Sequence, residues 1–267
     1  MLFFSNIQMI EALPDITLVR NLANNSGLKS AMGISGKLNR NGNDGTVTRF
    51  GWKAQNKSLT IFAGEAYNVE QGITNLLFPN ERDDTTGCSP SGSPSDSVHL
   101  PDITTLELLD DATQFGAFMR FLAPPARGTI DNTVVQGGNQ FVNIGCALCH
   151  TATLVTGASG FGPAFTNQTI HPYSDFAVHN MGSGLADHIS QGLANGDEFR
   201  TAPLWGLGQR VFFLHDGRTN NLLTAIQAHR STANGTYPAS EANAVIDRFN
   251  ALSATAKQNM LNFLRSL

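Results

Sequence analysis

The chain has 267 residues, of which 41% are hydrophobic and only 14% charged, against about 25% charged in a typical soluble domain. The formal net charge of −4 gives no electrostatic reason to expect nucleic acid or an anionic membrane as partner. No apolar run reaches the roughly 18 residues that a bilayer span needs. The composition therefore favours a globular protein with long, polar and weakly charged loops.

The opening segment, MLFFSNIQMIEALPD, lacks the basic start and the long apolar run of a secretory signal. We expect either that a signal has been removed or that the chain is part of a longer product. Further on, short β pieces fit Val47–Phe50 and Leu59–Phe62, although a helix suits the second better. The sequence predicts no large sheet.

Two apolar patterns at helical spacing divide the chain. One runs from Leu106 to Leu122 and stops at Pro124-Pro125, because proline cannot continue a helix. The other closes the chain in LSATAKQNMLNFLRSL. A loose repeat supports two units, because the segment that follows Gly51-Trp52 resembles the segment that follows His215-Asp216. We therefore predict units at residues 1–123 and 124–267, each ending in an equivalent helix.

The motif GCALCH places Cys146 and Cys149 three residues apart, with His150 directly after them. A zinc site would need two more ligands at similar spacing, and a redox pair would need a βαβ setting. A disulfide across two residues would be strained. Covalent attachment of one haem c explains the histidine as well, since both thiols add to haem vinyl groups and His150 becomes the proximal iron ligand.

Haem c is attached outside the bacterial cytoplasm, so we expect the mature protein in the periplasm or elsewhere beyond the cytoplasm. Cys88 lies in the loop DTTGCSPSGSPSD and has no thiol partner left in this chain. It is either a loop thiol or half of a disulfide whose partner lies elsewhere.

Several segments resemble the bacterial di-haem cytochrome c peroxidase superfamily, and most closely its di-haem, thiol-oxidoreductase-like or peroxidase-like branch. These segments are RFGWKAQNKSL, GITNLLFPNE, YSDFAVHNMGSGLAD and FRTAPLWGLGQRVFFLHDGRTNNLLTAIQAHR, and the resemblance spans about residues 34–267. Members carry two CxxCH motifs, whereas this chain has one. The resemblance implies a mainly α fold, with a cytochrome c-like haem domain preceded by a partial second cytochrome c-like domain and long loops.

The resemblance also implies a second axial ligand, because the helix after the HDG loop carries a methionine or tyrosine ligand in the superfamily. His229 occupies that place, and two imidazoles would favour electron transfer over substrate binding. Met181 is the runner-up, since neighbouring glycines let its loop approach the haem. His179 and His215 are expected to hold loops or contact haem propionates, and no ligand role is expected for His171 or His188.

Cofactor contacts are predicted in the same region. Arg200 fits a haem propionate, because a guanidinium matches a carboxylate, and a solvated arginine is the equal alternative. Arg218 has the same two interpretations. Pro203, Leu204 and Trp205 suit either a haem wall or an ordinary core.

In the first unit the resemblance points to Glu70. The superfamily has a distal glutamate on an N-P-x-E-like segment, and Asn68 and Glu70 take resembling positions, with Val69 in place of the proline. A carboxylate there could shuttle a peroxide proton, provided that a haem lies beneath it. Trp52 resembles the tryptophan between the two haems.

The sequence therefore predicts an electron-transferring c-type cytochrome with one covalent haem and bis-His ligation. The alternative is the electron-entry part of a di-haem peroxidase or thiol oxidoreductase whose first haem lies on an upstream segment or another chain. A module that uses haem only as a folding nucleus ranks third. The expected partner is a redox protein or a second haem-bearing chain. Calcium is possible, without assigned ligands.

Overall fold

A computed structural model describes residues 7–81, 93–97, 109–123 and 125–267. Cys88, His99, Leu106, Leu108 and Pro124 lie outside them. Within the described residues the fold is mainly α, as predicted. The helices are α1 (Ile7–Glu11), α2 (Asp15–Ala23), α3 (Ser26–Ala31), α4 (Leu59–Gln71), α5 (Asp111–Arg120), α6 (Asn132–Asn143), α7 (Leu222–Gln227), α8 (Asn243–Asn250) and α9 (Ala254–Arg265).

Strands are short. β1 (Leu154–Val155) pairs antiparallel with β2 (Thr169–Ile170), and β3 (Val178–Asn180) pairs antiparallel with β4 (Glu198–Arg200), with His179 opposite Phe199. Val47 and Phe50 make only isolated bridges, and Leu59 begins α4 instead of a strand. The described residues therefore contain no large sheet, in line with the sequence prediction.

Short polar side chains start most of the longer helices by accepting hydrogen bonds from the first free backbone N–H groups. These caps are Ser58 for α4, Asp110 for α5, Asp131 for α6, Asn221 for α7 and Ser253 for α9. The predicted start of α5 is wrong. The apolar pattern from Leu106 predicts that Leu109 lies in the helix, but Asp110 is the N-cap, so α5 begins at Asp111. That helix ends at Arg120, so Phe121 and Leu122 also lie outside it.

Two pairs of helices make the most extensive contacts, α4 with α5 and α6 with α9. Glycines permit close approach in both pairs. A Cβ on Gly137 would lie 2.0 Å from the Asn259 carbonyl oxygen, and one on Gly116 would lie 3.1 Å from Thr60 Cα. The helix before the CxxCH motif thus packs backbone to backbone on the closing helix.

The two main apolar cores do not follow the predicted boundary between residues 123 and 124. The C-terminal core, built mostly from α6 to α9, includes Met32 and Ile34 from the first unit. The N-terminal core includes Leu154, Phe176 and Ala177 from the second unit. The division into two units therefore stays a prediction. No helix of the described residues is both long and apolar enough to cross a membrane.

Candidate haem site

The candidate site begins where α6 ends. Gly145 follows the helix with φ +106°, a left-handed conformation that glycine adopts without steric cost. A single 3₁₀ turn from Cys146 to Leu148 comes next, and the His150 amide donates to the Cys146 carbonyl at 3.0 Å. This compact turn directs Cys146, Cys149 and His150 into one cavity.

The cavity has about 1330 Å³ of unfilled space, including its open mouth, and its walls are mainly apolar. Side chains from α6, α7, α8 and α9 form much of the wall: Phe141, Ile226, Val245, Ile246, Met260 and Leu264. Such a wall excludes water and suits a large flat apolar group. Leu204, for which the sequence leaves a haem wall and an ordinary core equally open, lines this cavity.

His150 and His229 both line the cavity and are anchored alike. His150 Nδ1 donates to the Tyr173 carbonyl at 2.9 Å, and His229 Nδ1 donates to the Ala225 carbonyl at 2.8 Å. In each neutral ring the lone pair is therefore on Nε2. A backbone carbonyl that fixes the tautomer is the usual support of a metal-ligating histidine.

Burial keeps both rings neutral. It lowers the pKa of His150 to about 4 and moves the pKa of His229 below its ordinary value. Burial also raises the pKa of the Cys146 thiol to about 12, with Cys149 adding to the rise. The site thus offers a protonated Cys146 thiol and two uncharged imidazoles, which is the state in which histidine binds a metal.

Two half-buried arginines on one wall supply positive charge. Arg200 Nε donates to the Gly51 carbonyl at 2.8 Å, and Arg210 lies close enough to lower the pKa of Arg200. Burial is the larger cause of that shift, which brings the pKa to about 10. Among the described residues neither guanidinium pairs with a carboxylate. A buried unpaired cation is costly, so this wall suits an anionic ligand group.

The other candidate histidines have different surroundings. His215 lines the cavity and stacks on Phe199, with ring centroids 4.3 Å apart. His171 Nδ1 is 3.1 Å from Thr153 Oγ1, and His188 Nδ1 is 2.9 Å from the Tyr237 hydroxyl. Neither His171 nor His188 lines this cavity, whereas Met181 does.

His179 sits between two carboxylates. Its Nδ1 is 2.9 Å from Glu241 Oε2 and its Nε2 is 3.0 Å from Asp175 Oδ2. Burial lowers the pKa of His179, but Cys149 and Asp175 raise it more, so the pKa stands well above the ordinary value. Burial raises the pKa of Glu241, but hydrogen bonds from His179 and Ser35 outweigh it and bring the pKa to about 2.

A second cavity of about 1130 Å³ adjoins the first. Pro203 and Trp205, predicted as possible haem-wall residues, line this second cavity and not the first. Glu70 lies at its exposed margin, whereas Glu65 accepts hydrogen bonds from the amides of Gln55 and Asn56.

Four residues belong to the walls of both cavities: Trp52, Arg200, Ala202 and Arg210. The Trp52 carbonyl accepts a hydrogen bond from the Arg200 amide at 2.8 Å.

Two further candidate residues lie elsewhere. Asn68 donates to the carbonyls of Phe78 and Asn80. Arg218 pairs with Asp216 at 2.6 Å, outside both cavities.

Sequence reasoning missed Tyr173, Asp175, Glu241 and Arg210. Tyr173 adopts φ +50°, which is unusual for a bulky side chain, and this conformation presents its carbonyl to His150. For Asp175 the sequence offers a sign, because this aspartate, in the segment YSDF, lies four residues before His179. Glu241 lies in a polar stretch, ASEANA, that gives no such signal.

Comparison with known proteins agrees with this geometry. The model of the family described as "Di-haem oxidoreductase, putative peroxidase" matches residues 6–267. The chain belongs to this family. The description of this family names haem and an oxidoreductase function.

Among solved structures the chain is similar to one titled "Crystal structure of a MauG-like protein associated with microbial copper homeostasis". The two sequences are 18% identical, and the TM-score is 0.37. The match covers 58% of this chain and 52% of that one, so the chain spans about half the length of that protein. No curated protein matches the sequence.

Proposed function

We propose that the chain is a c-type cytochrome that holds one haem through Cys146 and Cys149, with His150 and His229 as axial ligands, and that it transfers electrons. The observation that carries this proposal is the pair of half-buried neutral imidazoles in one apolar cavity with both thiols. Each imidazole has its Nδ1 hydrogen satisfied by a carbonyl and its Nε2 lone pair available.

Each residue has a defined part in this proposal. The two thiols would hold the haem by adding S–H across its vinyl double bonds, which needs no oxidant. A bound haem would supply a one-electron couple at iron. Ligation by two imidazoles would favour electron transfer over substrate binding. Apolar side chains from the surrounding helices keep water from the site.

Arg200 and Arg210 would hold the propionates. Both arginines are half-buried and have no carboxylate partner among the described residues, and a dianionic haem edge would supply the missing charge. Cys149 lies near Asp175 and His179, a group whose atoms could in principle hold a metal. Both His179 nitrogens face carboxylates, so no lone pair remains there. Calcium prefers six to eight oxygen ligands and stays a prediction without assigned ligands.

Substitution of the second ligand tests the proposal. The haem-loaded protein should show low-spin absorption and electron paramagnetic resonance spectra, and His229→Ala should open a coordination position and give a high-spin signal. Met181→Leu is the matched control, because Met181 lines the same cavity and is the rival ligand. A spin change in Met181→Leu, with none in His229→Ala, would assign the ligand to Met181 instead.

The second cavity favours a second candidate function, the electron-entry part of a di-haem peroxidase or thiol oxidoreductase. Trp52 belongs to the walls of both cavities, as an electron relay between two haems would require, and Glu70 lies at the margin of the second. The first haem would come from an upstream segment or another chain. A pyridine haemochrome assay with intact mass on the natively isolated assembly decides. One haem in the assembly supports the carrier, whereas a second haem, on a heavier chain or on a partner chain, supports the enzyme.

The remaining features follow from haem c. We infer a cytochrome c-like haem domain at residues 124–267, supported by the packing of α6 on α9 beside the cavity, and a partial second domain of that kind at residues 1–123. We also infer an extracytoplasmic location, since haem c is attached there, and a redox protein or second haem-bearing chain as partner. Cell fractionation with haem staining tests the location.

A further inference from the structure

A buried cluster of three ionisable side chains lies at one edge of the haem cavity. His179 is only 3% exposed and Asp175 is fully buried, while Glu241 covers the solvent side. His179 and Glu241 both line the cavity. His179 Nδ1 also lies 3.8 Å from Cys149 Sγ, the atom that would bind haem. The cluster is therefore in contact with the attachment point.

The hydrogen bonds fix the charge of this cluster. Both ring nitrogens of His179 face carboxylate oxygens, so each contact needs a proton, and a ring with two N–H groups is an imidazolium. Glu241 also accepts from the Ser35 amide at 2.9 Å, the Gly36 amide at 3.0 Å and the Ser35 hydroxyl at 2.8 Å. Asp175 Oδ1 accepts from the Ala177 amide at 3.0 Å.

Two carboxylates and one imidazolium leave one net negative charge. Among the described residues no lysine or arginine pairs with Asp175 or Glu241. Gly36 lets this cluster close tightly, because a Cβ there would lie 2.5 Å from the His179 ring. The cluster also connects the loop at residues 35–36 to β3 and to the segment before α8. Its geometry is held from three sides, so its charge is fixed in position.

Resting on the proposed attachment of haem at Cys149, we propose that Asp175, His179 and Glu241 form a positioning cluster whose net negative charge lowers the reduction potential of that haem. Adding one electron to the site adds negative charge, and a fixed negative charge nearby opposes this step. Buried charge acts strongly because it is poorly screened by solvent and salt. Hydrogen bonding and charge around the cofactor are recognised means of setting its potential.

The test is a spectroelectrochemical titration of the haem-loaded protein and its charge variants. Glu241→Gln and Asp175→Asn each remove one negative charge with little change of shape, and both should raise the midpoint potential. We expect a shift of about tenfold in the equilibrium between oxidised and reduced forms, which is 59 mV for one electron. His179→Gln removes the positive charge and should shift the potential in the opposite direction.

Asp247→Asn is the matched control, because Asp247 carries the same charge but lies exposed, paired with Arg230 away from the cavity. It should leave the potential unchanged. Unchanged potentials in Glu241→Gln and Asp175→Asn would overturn the proposal, and so would an equal shift in the control. A shift of all three cluster variants in one direction would indicate loosening of the loop and would also overturn it.

A second measurement covers the case in which the variants do not fold. Nitrogen-15 NMR of the wild-type His179 ring should show both nitrogens protonated near pH 7. A ring with one unprotonated nitrogen would overturn the charge assignment. Failure of the proposed function itself has a different signature, since a chain isolated without covalent haem would give no potential at all, while the His179 ring could still be observed.

Discussion

The two cavities of the molecule share a wall but differ in chemistry. The haem cavity has two thiols and the two half-buried neutral imidazoles of His150 and His229, all presented by short segments next to helices. The second cavity has two glutamates and two tryptophans, and no described cysteine or histidine lines it. The residues of the first cavity therefore fit the proposed haem. The second cavity has polar groups that would act on a haem supplied by an upstream segment or another chain.

This difference has a physical basis in how each side is supported. The imidazoles are positioned by backbone carbonyls inside a wall built from α6 to α9, so their orientation is fixed by the fold. Glu70 lies at the exposed end of α4. A ligand set needs fixed geometry, but a proton-shuttling carboxylate needs only reach and access to water. Membership of a family described as di-haem is consistent with the presence of two cavities.

The largest expected effect comes from removing the attachment sites in the first cavity. We expect Cys146→Ala with Cys149→Ala to abolish covalent haem, because no thioether can form without these thiols. Haem staining after denaturing electrophoresis measures this directly. Glu65→Gln in the second cavity is the control and should retain full staining. Retention of stain in the double variant would place the covalent haem elsewhere, with Cys88 as the third cysteine to test.

The two helix pairs offer a comparison of stability. Gly137→Ala should lower the free energy of unfolding by about 1–3 kcal/mol, because its Cβ would clash with the Asn259 carbonyl and force α6 away from α9. Gly138→Ala is a matched control on the same helix, since its Cβ would lie 3.2 Å from the Phe263 ring and would meet no backbone atom. It should be clearly less damaging than Gly137→Ala, because the contact is longer and alanine favours helix by up to about 1 kcal/mol.

Gly116→Ala, at the contact of α5 with α4, should cost less than Gly137→Ala, because its nearest contact is 3.1 Å. Urea unfolding of the three variants gives the order. If Gly116→Ala were the most damaging, the α4 and α5 pair, and not the pair beside the haem cavity, would be the more tightly constrained contact.

The free energy of unfolding should depend on pH through the charge cluster of Asp175, His179 and Glu241. The folded-state pKa of Glu241 is about 2, below its ordinary value of 4.5, because hydrogen bonds from His179 and Ser35 outweigh burial. A depressed carboxyl pKa contributes stability that is present above pH 4.5 and is lost as the pH falls towards 2. Wild-type stability should therefore fall more steeply across this window than that of Glu241→Gln, as measured by urea unfolding at several pH values.

Asp247→Asn again provides the control, because Asp247 and Arg230 form an exposed pair of small energetic value. Its stability should follow the wild-type pH dependence. Identical pH dependence in wild type and Glu241→Gln would mean that Glu241 is not held as an ionised partner of His179 in the folded protein.

Much of the fold was predictable from local signals. The closing helix, and the absence of a large sheet from the described residues, followed from spacing and composition. The start of α5 could not be predicted in this way, because the apolar spacing already begins at Leu106, before the Asp110 cap. Roles for Tyr173, Asp175 and Glu241 depend on contacts between distant segments. His179 contacts Glu241, 62 positions away, and sequence spacing gives no sign of such a pairing.

The smallest expected effect, and the one that separates the two candidate functions, comes from Glu70. Its side chain is exposed, so Glu70→Gln should change the free energy of unfolding by no more than about 0.5 kcal/mol. In an electron carrier with one haem, the variant should also leave the haem spectrum and the slow reaction with peroxide unchanged. In a complex that supplies a second haem to the other cavity, the same variant should slow peroxide turnover, because the distal proton shuttle is lost. Stopped-flow kinetics of the isolated chain and of the natively purified assembly therefore compare the two cavities directly. Equal rates for wild type and variant in both preparations would remove Glu70 from the chemistry and leave the carrier as the function of the chain.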